Sequence, residues 1–113
     1  ILYIHVRMNL ESFLSYLQHE KRYSPKTLIA YQTDLIQFSD YLQLQYQTMK
    51  PEEVTHFMVR SFIIELIDKG VTTRSVNRKI SALKSFYKFL KKRQLITKNP
   101  MQKVISPKTS KCL

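Results

Sequence analysis

With 113 residues, 43% of them hydrophobic, the chain suits one domain with one core. A single Gly, four Pro, seven Tyr and six Phe favour helices over a sheet that needs many tight turns. The net charge is +11, and the lone cysteine, Cys112, excludes an internal disulfide and a thiolate metal cluster.

The N-terminal run Ile1–Arg7 is too short for a signal peptide and has no basic segment before it. Met8 reads as a natural start, so residues 1–7 read as an upstream extension, and residues 1–8 are set apart from the helical domain. The first helix is then expected from Asn9, whose side chain can cap it, to about Arg22. Leu10, Phe13, Leu14 and Leu17 fall at i, i+3, i+4 and i+7 and share one face.

Ser24-Pro25 opens the second helix, with Ser as cap and Pro where the missing N–H costs nothing. Leu28, Tyr31, Leu35, Phe38 and Leu42 carry its apolar stripe, and it is expected to end near Tyr46. Lys50-Pro51 breaks the chain. Thr55 caps a third helix whose buried face is read as Val59, Phe62, Ile63, Leu66 and Ile67, and Gly70 stops it. Thr72 or Thr73 caps a fourth helix running to about Arg93. Val76, Ile80, Leu83, Tyr87 and Leu90 form its inner stripe. Asn99-Pro100 is a stop, and residues 101–113 read as a linker. The reading is therefore all-α, a compact bundle of four main helices over residues 9–100.

Charge is distributed unevenly along this bundle. Residues 1–68 hold six basic and all eight acidic residues, a net −2, whereas the 45 residues from Lys69 onward hold thirteen basic residues and no acid. Such a block repels itself unless it is solvated or paired with a polyanion. On the fourth helix, the face opposite the apolar stripe carries Arg74, Arg78, Ser81, Ser85, Lys88 and Lys92, flanked by Asn77, Lys84 and Lys91. Exposed helices usually mix signs in i,i+4 pairs, and this one has no acid at all. Hydroxyl-bearing small residues allow close approach, and Arg and Lys reach phosphates or guanine edges, so the face fits the major groove of duplex DNA. Arg74 in the first turn opposes the helix dipole, which an anion bound there would offset. The start of the second helix offers Lys26, Thr27 and Ala30, then Thr33, as a smaller polar patch.

The segments 24–38 (SPKTLIAYQTDLIQF) and 73–90 (TRSVNRKISALKSFYKFL), closing at Asn99-Pro100, resemble in order and spacing the N-terminal domain of the tyrosine recombinases, the phage-integrase and Xer-like family. The resemblance covers about residues 10–101. It implies a SAM-like core-binding domain that forms half of a clamp around the recombination site, with helices two and four toward the major groove. It points to Thr27, Ala30, Arg74, Arg78, Ser81 and Ser85 as DNA contacts. The family's tyrosine nucleophile, with its arginines, lysine and histidines, belongs to a separate C-terminal domain, expected to begin where this chain stops. None of the seven tyrosines here lies in such a motif.

Double-stranded DNA and further recombinase protomers are accordingly the expected partners. No cofactor, metal, membrane or small-molecule ligand is expected, because His5, His19 and His56 lack ligand spacing and the apolar runs are short. A cytoplasmic setting fits the single cysteine. A stand-alone helical DNA-binding regulator would present the same surface. A basic module for acidic proteins or an anionic membrane fits less well, since the basic face lacks large apolar residues. An enzyme in its own right finds no nucleophile–base set, paired carboxylates or phosphate loop.

Overall fold

The computed structural model describes the backbone of residues 2–47 and 50–107, with side chains from Asn9 onward. His5, Met8, Cys112 and the last part of the expected linker, residues 108–113, lie outside the described side chains. Four long helices, α1 (Leu2–His19), α2 (Pro25–Tyr46), α3 (His56–Asp68) and α4 (Thr73–Lys92), make up the fold, with a short 3₁₀ turn at Pro51–Glu53. No strand occurs among the described residues.

The starts and stops follow from local chemistry. Ser24 Oγ accepts from the Thr27 amide at 3.3 Å, Thr55 Oγ1 from the Met58 amide at 3.4 Å, and Thr72 Oγ1 from the Ser75 amide at 3.2 Å. Each satisfies one amide that has no partner inside its own helix. Gly70, at φ 83°, ends α3, with Val71 N donating to Leu66 O and Gly70 N to Ile67 O, both at 3.0 Å. The end of α4 closes in the same double-bonded way, Leu95 N to Leu90 O at 2.9 Å and Gln94 N to Lys91 O at 3.0 Å, with Gln94 left-handed at φ 61°. The expected α1 boundaries are corrected. The helix runs through Asn9 from Leu2, because no Gly or Pro interrupts residues 2–8, and it ends at His19 with Arg22 left-handed at φ 56°.

The amphipathic stripes meet in a single core, with α4 packed against the other three long helices. Phe13, Val76, Ala82 and Leu90 are wholly inaccessible, and Leu17, Leu35, Phe38, Phe62, Leu66, Ile80, Leu83 and Tyr87 are buried with them. Phe13 touches Phe86 and Phe89 with tilted rings, their centroids 5.3 and 5.4 Å away. Phe38 meets Phe62 at 5.1 Å, and Tyr41 hydrogen-bonds Ser61 to tie α2 to α3. Leu14 and Tyr31 pack on the core but are only partly buried.

Two further readings change. Ile67 is half exposed. At about 100° per residue it sits roughly 90° from the centre of the face made by Val59, Phe62, Ile63 and Leu66. The reading of residues 101–113 as a linker from its first residue also fails, since Met101 and Val104 are buried in the same core as Ile96. Asn99 Oδ1 accepts from the Met101 amide at 2.9 Å, so Asn99-Pro100 turns the chain back onto the bundle rather than away from it. The packed unit thus reaches Val104.

Candidate nucleic-acid interface

Because α4 is central, its inner residues are fixed by contact with three helices and its outer residues form one side of the bundle. Arg74, Arg78, Ser81, Lys84, Lys88, Lys91 and Lys92 reach the surface on that side, and Ser85 is half-buried. Thr27 and Ala30, half-buried, and Lys26, exposed, lie at the start of α2. The two stretches adjoin through Asp34, one turn beyond Ala30, which receives Arg78 from α4. Tyr31, the residue between, has its hydroxyl beside Ser85. Since Tyr31 faces Ser85 while Asp34 faces Arg78, α2 and α4 run in opposite senses across this face.

Asp34 is the feature that a stripe of basic residues does not reveal. Its carboxylate is completely buried, and it accepts from Arg78 Nε at 3.1 Å, Arg78 Nη2 at 2.9 Å and Lys79 Nζ at 2.9 Å. Lys79 is itself only 11% exposed along its side chain, while Arg78 is 49% exposed. A buried carboxylate is tolerated only when paired and hydrogen-bonded, and here two cations and three bonds meet that need. The cluster of one anion and two cations keeps a net positive charge, and the part of it at the surface is the Arg78 guanidinium. Hydrogen bonds to Asp34 hold that guanidinium's pKa above its usual value, more than burial lowers it. A signal was present in the sequence. Asp34 falls at i+3 from Tyr31 and i−4 from Phe38, and Lys79 at i+3 from Val76 and i−4 from Leu83. One charge of each sign on two apolar stripes points to a buried pair.

Asn77 behaves differently from its neighbours. Its Nδ2 donates to the Pro107 carbonyl at 3.1 Å, and its Oδ1 is buried without a hydrogen-bond partner among the described residues. The side chain ties Pro107 to α4 at the flank of the outward stripe. The other outward residues of α4 make no ion pair with an acid among the described residues, whereas Lys69, before the helix, pairs with Glu65 at 3.7 Å. Arg93 stacks over Phe89, 4.7 Å from its ring centroid, at the helix end.

Burial governs the hydroxyls of the tyrosines that line the core. Tyr87 is 2% exposed, and burial pushes its hydroxyl well above the ordinary phenol range. Burial likewise raises Tyr31, with Tyr23 adding to the shift and Ser85 opposing it. No cluster of His, Cys, Asp or Glu suited to a metal occurs among the described residues, and no described helix is long and apolar enough to cross a membrane.

Comparison with known proteins places this geometry. The family model of the phage integrase N-terminal SAM-like domain matches residues 10–94. Among curated relatives, the tyrosine recombinase XerC of Chlorobaculum parvum is 40% identical over 107 residues, 90% of this chain and 32% of its own. The tyrosine recombinase XerC of Bacillus licheniformis is 42% identical over 106 residues, 94% of this chain and 34% of its own. The tyrosine recombinase XerD of Chlorobaculum tepidum is 39% identical over 108 residues, covering 95% and 34%. The chain therefore spans about a third of the length of the curated relatives it matches. No solved structure gives a significant match.

Proposed function

Since the chain belongs to the family of phage integrase N-terminal SAM-like domains, we propose that it is the DNA-binding core-binding domain of a tyrosine site-specific recombinase. In this reading it forms one half of a clamp on duplex DNA at the recombination site. The outward face of α4 lies toward the major groove and the start of α2 assists it. The observation that carries the proposal is that face: Arg74, Arg78, Lys84, Lys88 and Lys92 at the surface with no acid in the helix, interleaved with Ser81 and Ser85. A solvated face would be expected to mix charges, and an anionic partner removes the repulsion among these cations. Arg74, Lys84, Lys88 and Lys92 are assigned to phosphates, and Arg78, midway along the stripe, to a base edge. Lys26, Thr27 and Ala30 border the same groove. The folded unit extends from α1 through Val104, and strand cleavage is assigned to the portion of the recombinase that this chain does not span. Other protomers would assemble beside it on the DNA.

The test is a titration of labelled duplex, followed by fluorescence anisotropy at several salt concentrations. If about five phosphates are neutralised, log K falls against log salt with a slope of roughly −4 to −5. Between about 50 and 200 mM salt the affinity then drops by between two and three decades. Lys92→Ala weakens binding to every duplex alike and lowers the slope by about one. Binding that ignores salt, or a covalent protein–DNA adduct formed by this chain alone, would overturn the proposal.

A further inference from the structure

We propose that Asp34 is a positioning residue that locks Arg78 into a fixed fork for guanine, so that a buried carboxylate in α2 sets the base preference of a contact made by α4. The inference rests on the DNA-contact reading above and adds to it the residue that orients the contact.

Arginine carries five N–H donors in one plane. Asp34 takes the Nε–H and one Nη2–H, at 3.1 and 2.9 Å. The opposite edge, two donors on Nη1 and one on Nη2, points away from the carboxylate, and with the side chain 49% exposed that edge is at the surface. The carboxylate cannot swing to follow the arginine, because it is completely buried and Lys79 holds Oδ1 at 2.9 Å. The guanidinium plane is thereby fixed relative to both helices. A free surface arginine loses rotamer freedom when it docks, and this one is already immobilised.

The free edge is a planar pair of parallel donors, which matches the N7 and O6 acceptors that guanine displays in the major groove. A phosphate contact has no need of such orientation, since a point charge on a flexible stem serves it. Lys79 completes the device. Asp34 with Arg78 alone would be neutral, and the second cation leaves the cluster positive toward DNA. Ser81, one turn from Arg78, is small enough to let the helix approach to within reach of a base edge.

The experiment starts by selecting preferred duplexes from a randomised pool with the wild-type chain. Affinity is then measured for the selected duplex, for single G·C to A·T replacements, and for 7-deazaguanine, which lacks the N7 acceptor. Wild-type protein is expected to prefer guanine at one position by about tenfold or more. Arg78→Lys keeps the charge but abolishes this preference. Asp34→Asn reduces it severalfold without lowering the salt slope, and has no further effect on it in the Arg78→Ala background. Preference retained by Arg78→Lys, or independent effects of Asp34→Asn and Arg78→Ala, would overturn the inference. So would an Arg78→Ala variant that weakens all duplexes equally, since that marks a phosphate contact. If circular dichroism shows Asp34→Asn unfolded, Asp34→Glu, which keeps the charge but displaces the carboxylate, takes its place: a reduced preference supports the positioning role, and an unchanged one refutes it. A wild-type chain with no salt-dependent duplex binding would instead remove the DNA-contact reading itself.

Discussion

Removing the Asp34 carboxylate separates the two roles of its cluster, because the partners differ in burial. In Asp34→Ala, Arg78 is half exposed and can turn to water, so its share of the loss is small, as for other solvent-reached ion pairs. Lys79 has no such escape, being 11% exposed along its side chain with its nearest anion gone. Leaving one member of a buried pair uncompensated costs about 3–5 kcal/mol. Against a typical domain stability of about 5–15 kcal/mol, that is a large fraction of the whole. The other two truncations should be milder. Arg78→Ala strips Oδ2 of its donor but leaves Lys79 on Oδ1, at about 1–3 kcal/mol. Lys79→Met leaves the carboxylate with both arginine bonds, and about 1–2 kcal/mol is expected from the lost charge-assisted bond. The diagnostic variant is Asp34→Ala with Lys79→Met. It replaces the buried charges by apolar groups and should be more stable than Asp34→Ala alone. Urea unfolding followed by circular dichroism gives all four values. An Asp34→Ala variant within about 1 kcal/mol of wild type, or a double variant weaker than Asp34→Ala, would show that Lys79 finds water or another partner and that the cluster is not buried as described.

Ending the chain after Pro100 removes Met101 and Val104 from the core. At about 1.5–3 kcal/mol for each buried side chain, the shortened protein should lose roughly 3–6 kcal/mol and melt more than about 10 °C lower by circular dichroism; an unchanged melting temperature would restore the view of residues 101–107 as a linker. Alkaline pH should destabilise the fold through Tyr87, whose hydroxyl is held protonated by burial in the folded state but ionises near pH 10.0 when unfolded. The unfolded chain then binds fewer protons than the folded one, so stability is intact below about pH 9 and falls above pH 10 by up to about 1.4 kcal/mol per pH unit. Urea unfolding at about pH 9 and 11 should show this fall, and Tyr87→Phe should reduce it, with the smaller shifts of Tyr31 and Tyr41 leaving a remainder; an equal fall in Tyr87→Phe would assign the effect elsewhere.

The parts of the fold legible in the sequence are those set by local chemistry. Ser24, Thr55 and Thr72 cap where a hydroxyl precedes an apolar period, and Gly70 stops α3 because it occupies a left-handed position without steric cost. Arg22, Gln47 and Gln94 take the same left-handed region with no glycine to advertise it. At Gln94 the stop is imposed by backbone bonds: those from Leu95 to Leu90 and from Gln94 to Lys91 close α4 whatever the residue at the bend. Met101 and Val104 escaped periodicity because two apolar residues in an irregular segment have no repeat; only the position of the bundle beneath them shows that they are core. On the candidate interface, the outward stripe of α4 was legible because it depends on one helix. Asp34 was legible only as a charge on an apolar stripe, and its partners Arg78 and Lys79 were not, because they lie 44 and 45 residues away in sequence; the Asn77–Pro107 contact, 30 residues apart, left no pattern at all.

The placement of the charged cluster also explains how one helix can be core on one side and, in the proposed reading, a contact surface on the other. The inner side of α4 is determined by packing: Val76, Ile80, Leu83, Tyr87 and Leu90 are all buried where α4 meets the other helices. The outer side has no packing partner, so its residues are free to be basic and small, at the cost of mutual repulsion along the helix. Asp34 enters from α2 at the boundary between the two sides, where Lys79 is buried and Arg78 is half exposed. It offsets part of that repulsion without placing a negative charge on the surface that would face DNA. An acid on α4 itself at an i+4 position would relieve the helix equally well, but it would stand on the outer face and repel phosphates. Burying the acid on the neighbouring helix reconciles the two demands, and it makes the α2–α4 contact the joint on which both the stability of the bundle and the orientation of Arg78 depend.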